Sequence, residues 1–501
     1  MNVVASDSKL LSGRILATSA LWSLAAQAIP AVAGVVAIPL LVRGLGVERF
    51  GVLTLAWMVI GYFGLFDLGL GRAVTKFAAE LLASAKHSEI DRMVWTAWYL
   101  MLALGLLGAA VLTALVPWLV GSAIKVPHAL RAETSKSFYL LAWSIPIVVL
   151  TAGFRGLLEG AQRFKLTSLI KIPTGVLTFI APLLVLQFTR NLAVIVFVLI
   201  GVRLGGAVVY GVMCHKAVHR HGTPAPIDRA AAQTLLGFGA WMTVSNVVSP
   251  LMVSVDRFFV GAFVSLAAVA YYATPFEAVT RLLIVPSAIT AVLFPAFSTA
   301  SRIDRRKMAR LFRVGMRVLF LSMYPITFVV VTFAPELLKL WLGGAFAAQS
   351  SGVLRWLALG VLTNSMASLP FALLQGVGRS DMTAKIHLAE APGYLVLMVW
   401  LIRQHGINGA AIAWSVRTVL DMALLYWYAG RQLYAKEPRW LRDIGLFAAL
   451  LPMLGAGLIL QSPLQKLFLT SIFVIVALVF AWRWTLARGG RAWISSLLRN
   501  S

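Results

Sequence analysis

The chain has 501 residues, of which 60% are hydrophobic and only 12% are Asp, Glu, Lys or Arg. Soluble globular proteins carry about a quarter charged residues, because that much polar surface must face water. The composition therefore excludes a soluble enzyme and a disordered chain, and the single cysteine, Cys214, excludes a disulfide scaffold. We expect a polytopic membrane protein whose surface mostly faces lipid.

Apolar windows of about 20 residues, the length of a helix that crosses a bilayer, predict fourteen spans. Because lipid satisfies no backbone group and the apolar runs do not alternate strictly, the predicted fold class is all-α. In chain order the predicted spans are 17–42, 50–71, 93–116, 138–157, 167–187, 192–214, 235–258, 267–294, 312–333, 352–374, 386–402, 408–432, 444–460 and 467–484.

The basic residues predict the orientation of these spans. Lys and Arg total 44 against 18 Asp and Glu, a formal net charge of +26. About three quarters of the Lys and Arg residues in loops fall on the side of the termini, and such residues collect in cytoplasmic loops. We therefore expect both termini in the cytoplasm. No loop interleaves a basic stripe with stacking aromatic residues, so we expect no nucleic-acid partner.

A short internal repeat relates Leu157–Arg163 to Leu373–Arg379. A similarity this short also arises by chance, but each copy falls at the predicted cytoplasmic end of a span, the fourth and the tenth. This agreement favours duplicated six-span halves, which in transporters flank a substrate cavity. We predict an N-terminal lobe at 1–232, a C-terminal lobe at 233–433, and two additional helices with a cytoplasmic tail at 434–501.

Motifs for chemistry are missing from the sequence. It contains no GxxxxGK[ST] phosphate loop, no HExxH metal motif and no GxSxG nucleophile elbow. No loop exceeds about 20 residues between the spans predicted by hydropathy, so we expect no extramembrane domain. These patterns predict a transporter without catalytic residues, metal ligands or a cofactor.

Ionisable residues at membrane depth are the best candidates for function, because a charge in hydrocarbon needs a partner or a wet cavity. Glu277 and Arg281 are four residues apart in span eight, in the order that favours an ion pair within one helix. Pro275 and Pro286 flank them and should bend or loosen the helix. The two residues form either a structural pair or a cationic group at a cavity wall, with Glu277 holding it or titrating.

Three further ionisable residues are candidates with open alternatives. Asp256 closes span seven next to Arg257 and is either part of an ion pair with another span or a proton or cation site. Asp67 either anchors a helix end or takes part in coupling, with Gly69 and Gly71 beside it for close helix approach. Arg203, in the middle of span six, either extends to the interface or faces a cavity.

Span twelve repeats the four-residue spacing with Arg417 and Asp421, which we interpret as a structural pair. Glu390 in span eleven has no basic residue three or four positions ahead of it, although Lys385 and His387 are nearby. The sequence alone assigns no role to Glu390.

Five segments resemble one family closely enough to name it. They are Gly44–Leu53, Phe66–Ala73, Leu157–Phe164, Asp256–Gly261 and Ala270–Tyr272. Together they resemble the bacterial polysaccharide-unit flippases (Wzx-type) of the polysaccharide transporter family. This family shares a superfamily with multidrug exporters of the MATE type and with lipid II flippases.

The resemblance implies two pseudo-symmetric six-helix bundles around a central cavity that opens alternately to either side of the bacterial inner membrane. The implied substrate is an undecaprenyl-pyrophosphate-linked oligosaccharide for O-antigen, capsule or exopolysaccharide. A glycan polymerase and chain-length machinery are the implied partners.

The resemblance also suggests which residues meet the pyrophosphate. Lipid II flippases place an arginine five residues before a proline in span eight, and Arg281 precedes Pro286 by five. Those flippases have an acid directly before the arginine, whereas Thr280 stands here, which leaves the coupling role of Glu277 open. Arg72 falls near another of their cationic cavity positions, and Arg203 is a weaker candidate.

Two other functions remain as alternatives. A cation-coupled multidrug antiporter shares the fold, but such exporters often carry a carboxylate in span one, and Ser19 to Val42 contains none. A membrane glycan polymerase or ligase is disfavoured because the sequence has no large loop.

Overall fold

The computed structural model describes residues 13–62, 67–83, 87–218, 226–303, 305–433, 445, 451–460 and 462–485. Within these ranges the regular structure is helical and contains no strand, which confirms the all-α fold class. The helices are α1 (Gly13–Leu45), α2 (Val47–Tyr62), α3 (Leu70–Ala83), α4 (His87–Trp118), α5 (Arg131–Gly160), α6 (Phe164–Leu186), α7 (Leu192–Val218), α8 (Arg229–Phe263), α9 (Leu266–Thr280), α10 (Ile284–Ile303), α11 (Arg305–Thr332), α12 (Ala334–Leu342), α13 (Gly344–Gly376), α14 (Ser380–Leu433), α15 (Leu451–Ile459) and α16 (Pro463–Thr485).

The described helices have the length and composition of membrane spans. In this part of the chain, nine helical stretches are long and apolar enough to cross a bilayer. Their outward surfaces carry many large apolar side chains, for example Leu107, Phe197 and Val396. The chain is therefore a multi-pass membrane protein. The total of fourteen spans and the cytoplasmic position of the termini stay predictions.

The chain divides into two compact units, which we call unit 1 (Met1–Ala270) and unit 2 (Tyr271–Ser501). The core of unit 1 lies between α3, α4 and α5, around Leu70, Val94 and Leu141. In unit 2, Phe312 of α11 and Trp414 of α14 are almost completely buried. The predicted lobes 1–232 and 233–433, with the additional segment 434–501, stay predictions.

The internal repeat forms the same backbone turn in both units, at the end of α5 and at the end of α13. A residue in the left-handed region, Gln162 (φ 57°) or Gly378 (φ 81°), lies two positions after the last residue of each helix, and such residues are common at helix C-termini. Three backbone hydrogen bonds close each turn. After α5, Ala161 donates to the carbonyl of Leu157 (2.9 Å), Gln162 to that of Glu159 (3.0 Å) and Arg163 to that of Leu158 (2.8 Å). After α13, Val377 donates to the carbonyl of Leu373 (3.0 Å), Gly378 to that of Gln375 (3.0 Å) and Arg379 to that of Leu374 (2.8 Å).

The correspondence between the two copies continues beyond the turn. Helix α6 begins at Phe164 and α14 at Ser380, each directly after the arginine that closes its copy of the repeat. Helix α14 has 54 residues but breaks at Gly406, where φ is 55° and ψ is −134°. Its N-terminal half therefore corresponds to α6 and its C-terminal half to α7, as the prediction of two spans, 386–402 and 408–432, requires.

Small residues bring α3 and α5 together in unit 1. A Cβ at Gly156 would lie 2.3 Å from the carbonyl oxygen of Gly71, and a Cβ at Gly160 would lie 2.7 Å from that of Thr75. Real Cβ atoms do not approach so closely, so both positions require glycine. The prediction that Gly71 permits close helix approach is confirmed, and the contact fixes α3 against the end of α5.

Candidate functional site

Asp67 begins α3. Its Oδ1 accepts a hydrogen bond from the backbone N–H of Gly69 (2.8 Å), and its Oδ2 accepts one from Gly71 (3.1 Å). An acid in this position satisfies N–H groups that have no partner within the helix. The first of the two alternatives, a helix-end anchor, is therefore confirmed. A role for Asp67 in coupling stays a prediction.

Two arginines act on the Asp67 carboxylate through their charge: Arg72, exposed on the first turn of α3, and Arg155, near the end of α5. Arg155 also lies 3.7 Å from Glu159, measured from Nε to Oε1, and about half of its side chain is exposed. Lys171 of α6 is exposed and is influenced by the charges of both Arg155 and Glu159. We call Arg72, Arg155 and Lys171 the basic cluster of unit 1.

The basic cluster holds more positive charge than its neighbours neutralise. Among the described residues, the carboxylates that act on these three cations through their charge are those of Asp67 and Glu159, so the formal charges leave one positive charge in surplus. Arg155 lies five residues before the end of α5, which places it about 8 Å inside that end. The three cations of the cluster are thus carried by helices α3, α5 and α6 rather than by a loop.

Sequence reasoning missed Arg155 and Lys171, because both were counted among the basic residues of cytoplasmic loops. Their signal was present in the sequence. Arg155 and Glu159 have the same four-residue spacing as Glu277 and Arg281, and Lys171 falls within a predicted span.

Arg203 is half-buried in α7. Its guanidinium forms no ion pair with a carboxylate of the described part of the chain. The structure therefore does not bring Arg203 together with the basic cluster through a shared acid. Its predicted contact with substrate stays a prediction.

Asp256 is fully buried near the end of α8, and Arg257 beside it is 6% exposed. Oδ1 of Asp256 accepts a hydrogen bond from the backbone N–H of Arg257 (2.7 Å). Both residues are therefore part of the packing of unit 1 rather than of its surface. The predicted role of Asp256 in coupling stays a prediction.

Glu277 and Arg281 form the expected ion pair, with 3.2 Å between Oε2 and Nη2. About half of each side chain is exposed. Arg281 begins a 3₁₀ turn, Arg281–Leu283, that separates α9 from α10. Pro286 has no N–H to donate to the carbonyl of Leu282, which explains the break. The prediction that prolines loosen this helix is confirmed, and Arg281 lies in unit 2 at a point where the backbone departs from the α-helix.

The helices and the charged side chains among them are those of a multi-pass membrane protein, and comparison with known proteins gives its family. Residues 40–351 match the family described as "Polysaccharide biosynthesis protein". The chain is 31% identical over 419 residues to the "Putative O-antigen transporter" of Shigella flexneri, which covers 84% of this chain and 99% of that protein. The chain belongs to this polysaccharide biosynthesis protein family, which confirms the resemblance found in the sequence.

Two solved structures share the fold. One is "Lipid II flippase MurJ, inward closed conformation", with a TM-score of 0.68 and 14% identity, covering 93% of this chain and 98% of that one. The other is a multidrug resistance MATE family transporter of the MOP superfamily in an inward-facing conformation, with a TM-score of 0.65 and 15% identity, covering 82% and 98%. At such identities the likeness shows the fold alone.

Proposed function

We propose that this protein is a flippase that moves undecaprenyl-pyrophosphate-linked oligosaccharides from the cytoplasmic to the periplasmic leaflet of a bacterial inner membrane. Alternating access of the cavity is the proposed mechanism, and a glycan polymerase with chain-length machinery consumes the product. Membership of a polysaccharide biosynthesis family supports the substrate class. The fold alone favours a glycan flippase and a drug exporter equally, because solved structures of both kinds share it.

The basic cluster of unit 1 is the observation that carries the proposal. A pyrophosphate brings two or more negative charges into the membrane, and desolvating them is costly. Arg72, Arg155 and Lys171 supply guanidinium and ammonium donors within apolar helices, and guanidinium forms paired hydrogen bonds with phosphate oxygens. The surplus positive charge is offset when the anion binds.

Arg281 is the proposed pyrophosphate contact of unit 2. Its guanidinium is half exposed and is held by Glu277, so a phosphate oxygen can reach the guanidinium and replace the carboxylate as its partner. Glu277 is then released to titrate. Arg203 remains a weaker contact, and Asp256 and Asp67 remain coupling candidates.

The test is complementation of a strain that lacks this gene. Deletion should cause lipid-linked oligosaccharide to accumulate in the cytoplasmic leaflet, as measured by enzymatic labelling of sugars on each face of membrane vesicles. Arg72→Ala and Arg281→Ala should each reduce surface glycan on the order of tenfold, the effect of losing one charge-assisted hydrogen bond. Arg72→Lys and Arg281→Lys should retain part of the activity.

Arg190→Ala is the matched control, because Arg190 is an exposed arginine between α6 and α7, outside the basic cluster. It should leave surface glycan unchanged at equal protein level. The proposal is wrong if the deletion strain places its oligosaccharide normally in the periplasmic leaflet. Wild-type export by Arg72→Ala and Arg281→Ala at normal protein level would remove these two residues from the substrate path.

A further inference from the structure

Four ionisable side chains from the two halves of α14 lie together inside unit 2, and we call them the polar cluster of α14: His387, Glu390, Arg417 and Asp421. Nε2 of His387 lies 3.4 Å from Oδ1 of Asp421. Glu390 belongs to the cluster because the charged groups that act on it, among the described residues, are those of Asp421, Arg417 and His387. The break at Gly406 turns the second half of α14 back against the first and makes these contacts possible.

The polar cluster is buried. Glu390 and Arg417 are each 8% exposed and Asp421 is 5% exposed. Helix α13 covers it with Phe371, whose ring stacks on His387 at 5.8 Å between centroids. Arg417 lies over the ring of Tyr394, with 5.6 Å from its guanidinium carbon to the centroid. The cluster is therefore not a surface network of the kind that water stabilises.

Glu390 is the feature that points to a missing ligand. Neither of its carboxylate oxygens has a hydrogen-bond partner in the described structure. A buried carboxylate left without hydrogen bonds is costly, and protonation removes its charge. A proton on Glu390 is the smallest change that relieves this cost.

The charge count leads to the same conclusion. With His387 neutral, Glu390 and Asp421 carry two negative charges and Arg417 one positive charge, so the cluster is negative by one. One bound proton makes it neutral. Glu390 is the place for that proton, because neither of its buried carboxylate oxygens has a hydrogen-bond partner among the described residues.

A proton fits this cluster better than a metal ion. Among the described residues, no group of three or more His, Cys, Asp or Glu side chains is arranged to hold a metal ion. A proton adds positive charge without needing space or a set of oxygen ligands.

The fold itself does not require the polar cluster. The separation between the two copies of the repeat, from Leu157 to Leu373, also relates other positions of the two units. By this separation the four residues of the cluster correspond to Lys171, Thr174, Gly201 and Gly205 of unit 1, of which only Lys171 is ionisable. The hydroxyl of Thr174 donates to the carbonyl of Ile170 in its own helix (2.9 Å), as a structural threonine does. In unit 1 the corresponding helices α6 and α7 thus form without these charges.

Helix α14 contains a proline close to the polar cluster. Pro392, two residues after Glu390, has no N–H to donate to the carbonyl of Leu388. Prolines of this kind are common places for helices to bend. A change of charge on Glu390 therefore acts on a helix segment that can deform.

We propose that the polar cluster of α14 is a proton-binding site, in which a hydronium ion of the aqueous phase gives a proton to a carboxylate oxygen of Glu390, beside the pair formed by His387 and Asp421, and leaves as water. Proton binding itself is independent of the flippase function. Its use to drive α14 between two arrangements, and so to couple transport to a pH gradient, rests on the proposed function.

The decisive experiment is pH-difference infrared spectroscopy of the purified full-length protein in lipid. A protonated carboxylic acid has a carbonyl band that an ionised carboxylate lacks. Raising the pH should remove such a band in the wild type, and Glu390→Gln should lack it. Asp381→Asn is the matched control, because Asp381 is a half-exposed acid in the first turn of the same helix, and it should retain the band.

Several results would overturn the proposal. A titrating band of unchanged size in Glu390→Gln assigns the proton elsewhere. Loss of the band at constant pH when potassium chloride is replaced by sodium chloride makes the cluster a metal-ion site. If Glu390→Gln does not fold, Glu390→Asp keeps an acid at the position and should give a band that titrates in a different pH range; an unchanged titration contradicts the assignment.

A transport assay distinguishes the proposed proton site from the proposed flippase function. In vesicles that contain lipid-linked oligosaccharide, wild-type flipping should respond to an imposed pH difference, and Glu390→Gln should lose that response. Arg72→Ala should lose flipping but keep the infrared band. If the protein is no flippase, the vesicle assay fails for every variant while the infrared result stands, so the failure of one proposal does not resemble the failure of the other.

Discussion

The turn that ends α5 in unit 1 and the turn that ends α13 in unit 2 have the same three hydrogen bonds, but the side chains around them differ in charge. Arg155 and Lys171 influence each other in unit 1, whereas the residues at the corresponding positions of unit 2, Phe371 and His387, stack on each other. The same pair of backbone positions is thus cationic and exposed in one unit, and aromatic and largely buried in the other.

The charged side chains of the two units therefore suit different kinds of ligand. Exposed cations at one turn suit an anionic headgroup that arrives from outside the helices. Buried groups with one surplus negative charge suit a small cation that enters the packing. We interpret unit 1 as the stronger substrate contact and unit 2 as the site of proton binding, with Arg281 as the additional substrate contact of unit 2.

The largest effect on the flipping rate is expected when Arg155 of unit 1 is replaced by phenylalanine, the residue at the corresponding position 371 of unit 2. Arg155→Phe removes a guanidinium from the basic cluster and leaves Asp67 and Glu159 with less compensation. Losing one charge-assisted contact to the pyrophosphate should lower the flipping rate on the order of tenfold or more. The measurement is leaflet-specific labelling of lipid-linked oligosaccharide in vesicles.

Arg155→Lys and Arg163→Ala are the controls for this exchange. Lysine keeps the charge but not the paired donors, so it should be intermediate between wild type and phenylalanine. Arg163 is an exposed arginine just past the end of α5, and its loss should have no effect. Equal losses in Arg163→Ala and Arg155→Phe would mean that general positive charge at this turn matters rather than the basic cluster.

Patterns within one helix or one turn could be predicted from the sequence. The ion pair of Glu277 and Arg281 follows from a spacing of four residues, and the 3₁₀ turn follows from Pro286. The repeat was visible because both copies have two leucines, a glycine and an arginine at the same spacing, which form the same turn. These features depend on a few neighbouring residues, and single-sequence reasoning sees those directly.

Contacts between helices could not be predicted. His387 and Asp421 lie far apart in sequence and meet because α14 reverses at Gly406, a bend that hydropathy marks only as a gap between spans. Arg155 and Lys171 lie on different helices, and the sequence analysis counted both only toward the basic residues of the cytoplasmic side. The sequence shows that a charge is present, but the packing decides whether it lies at a membrane surface or inside a cluster.

A smaller effect is expected from adding a methyl group at the matched glycines that end α5 and α13. A Cβ at Gly160 would lie 2.7 Å from the carbonyl oxygen of Thr75, whereas at Gly376 the nearest atom is the Cβ of Phe297 at 3.2 Å. Gly160→Ala should therefore destabilise the protein by about 1–3 kcal/mol, the cost of overpacking, and Gly376→Ala by about 1 kcal/mol or less.

Both glycines end a helix, so any change in helix propensity is shared and the difference reports packing. Thermal unfolding of the purified variants in detergent measures it. The tighter contact does not belong to unit 1 if the two variants have the same unfolding midpoint, or if the midpoint of Gly376→Ala is lower than that of Gly160→Ala.

The smallest effect concerns a contact within unit 2, the attachment of α16 to α12. Nζ of Lys466 donates a hydrogen bond to Oε1 of Glu336 (2.6 Å), and the lysine side chain is 3% exposed. Burial raises the pKa of Glu336, but the hydrogen bond and charge of Lys466 outweigh burial and hold the pKa below its ordinary value of 4.5. Since 43% of the glutamate side chain is exposed, Glu336→Gln should cost only about 1 kcal/mol at neutral pH.

The pH dependence of that loss identifies its cause. A carboxylate whose pKa is lowered on folding contributes stability above its unfolded pKa, and the contribution disappears as the pH falls through the folded value. The unfolding midpoints of wild type and Glu336→Gln should therefore differ at pH 7 and converge well below the ordinary pKa of 4.5. A difference that persists in acid would mean that the amide disturbs packing around Lys466, and that charge is not what fastens α16 to α12.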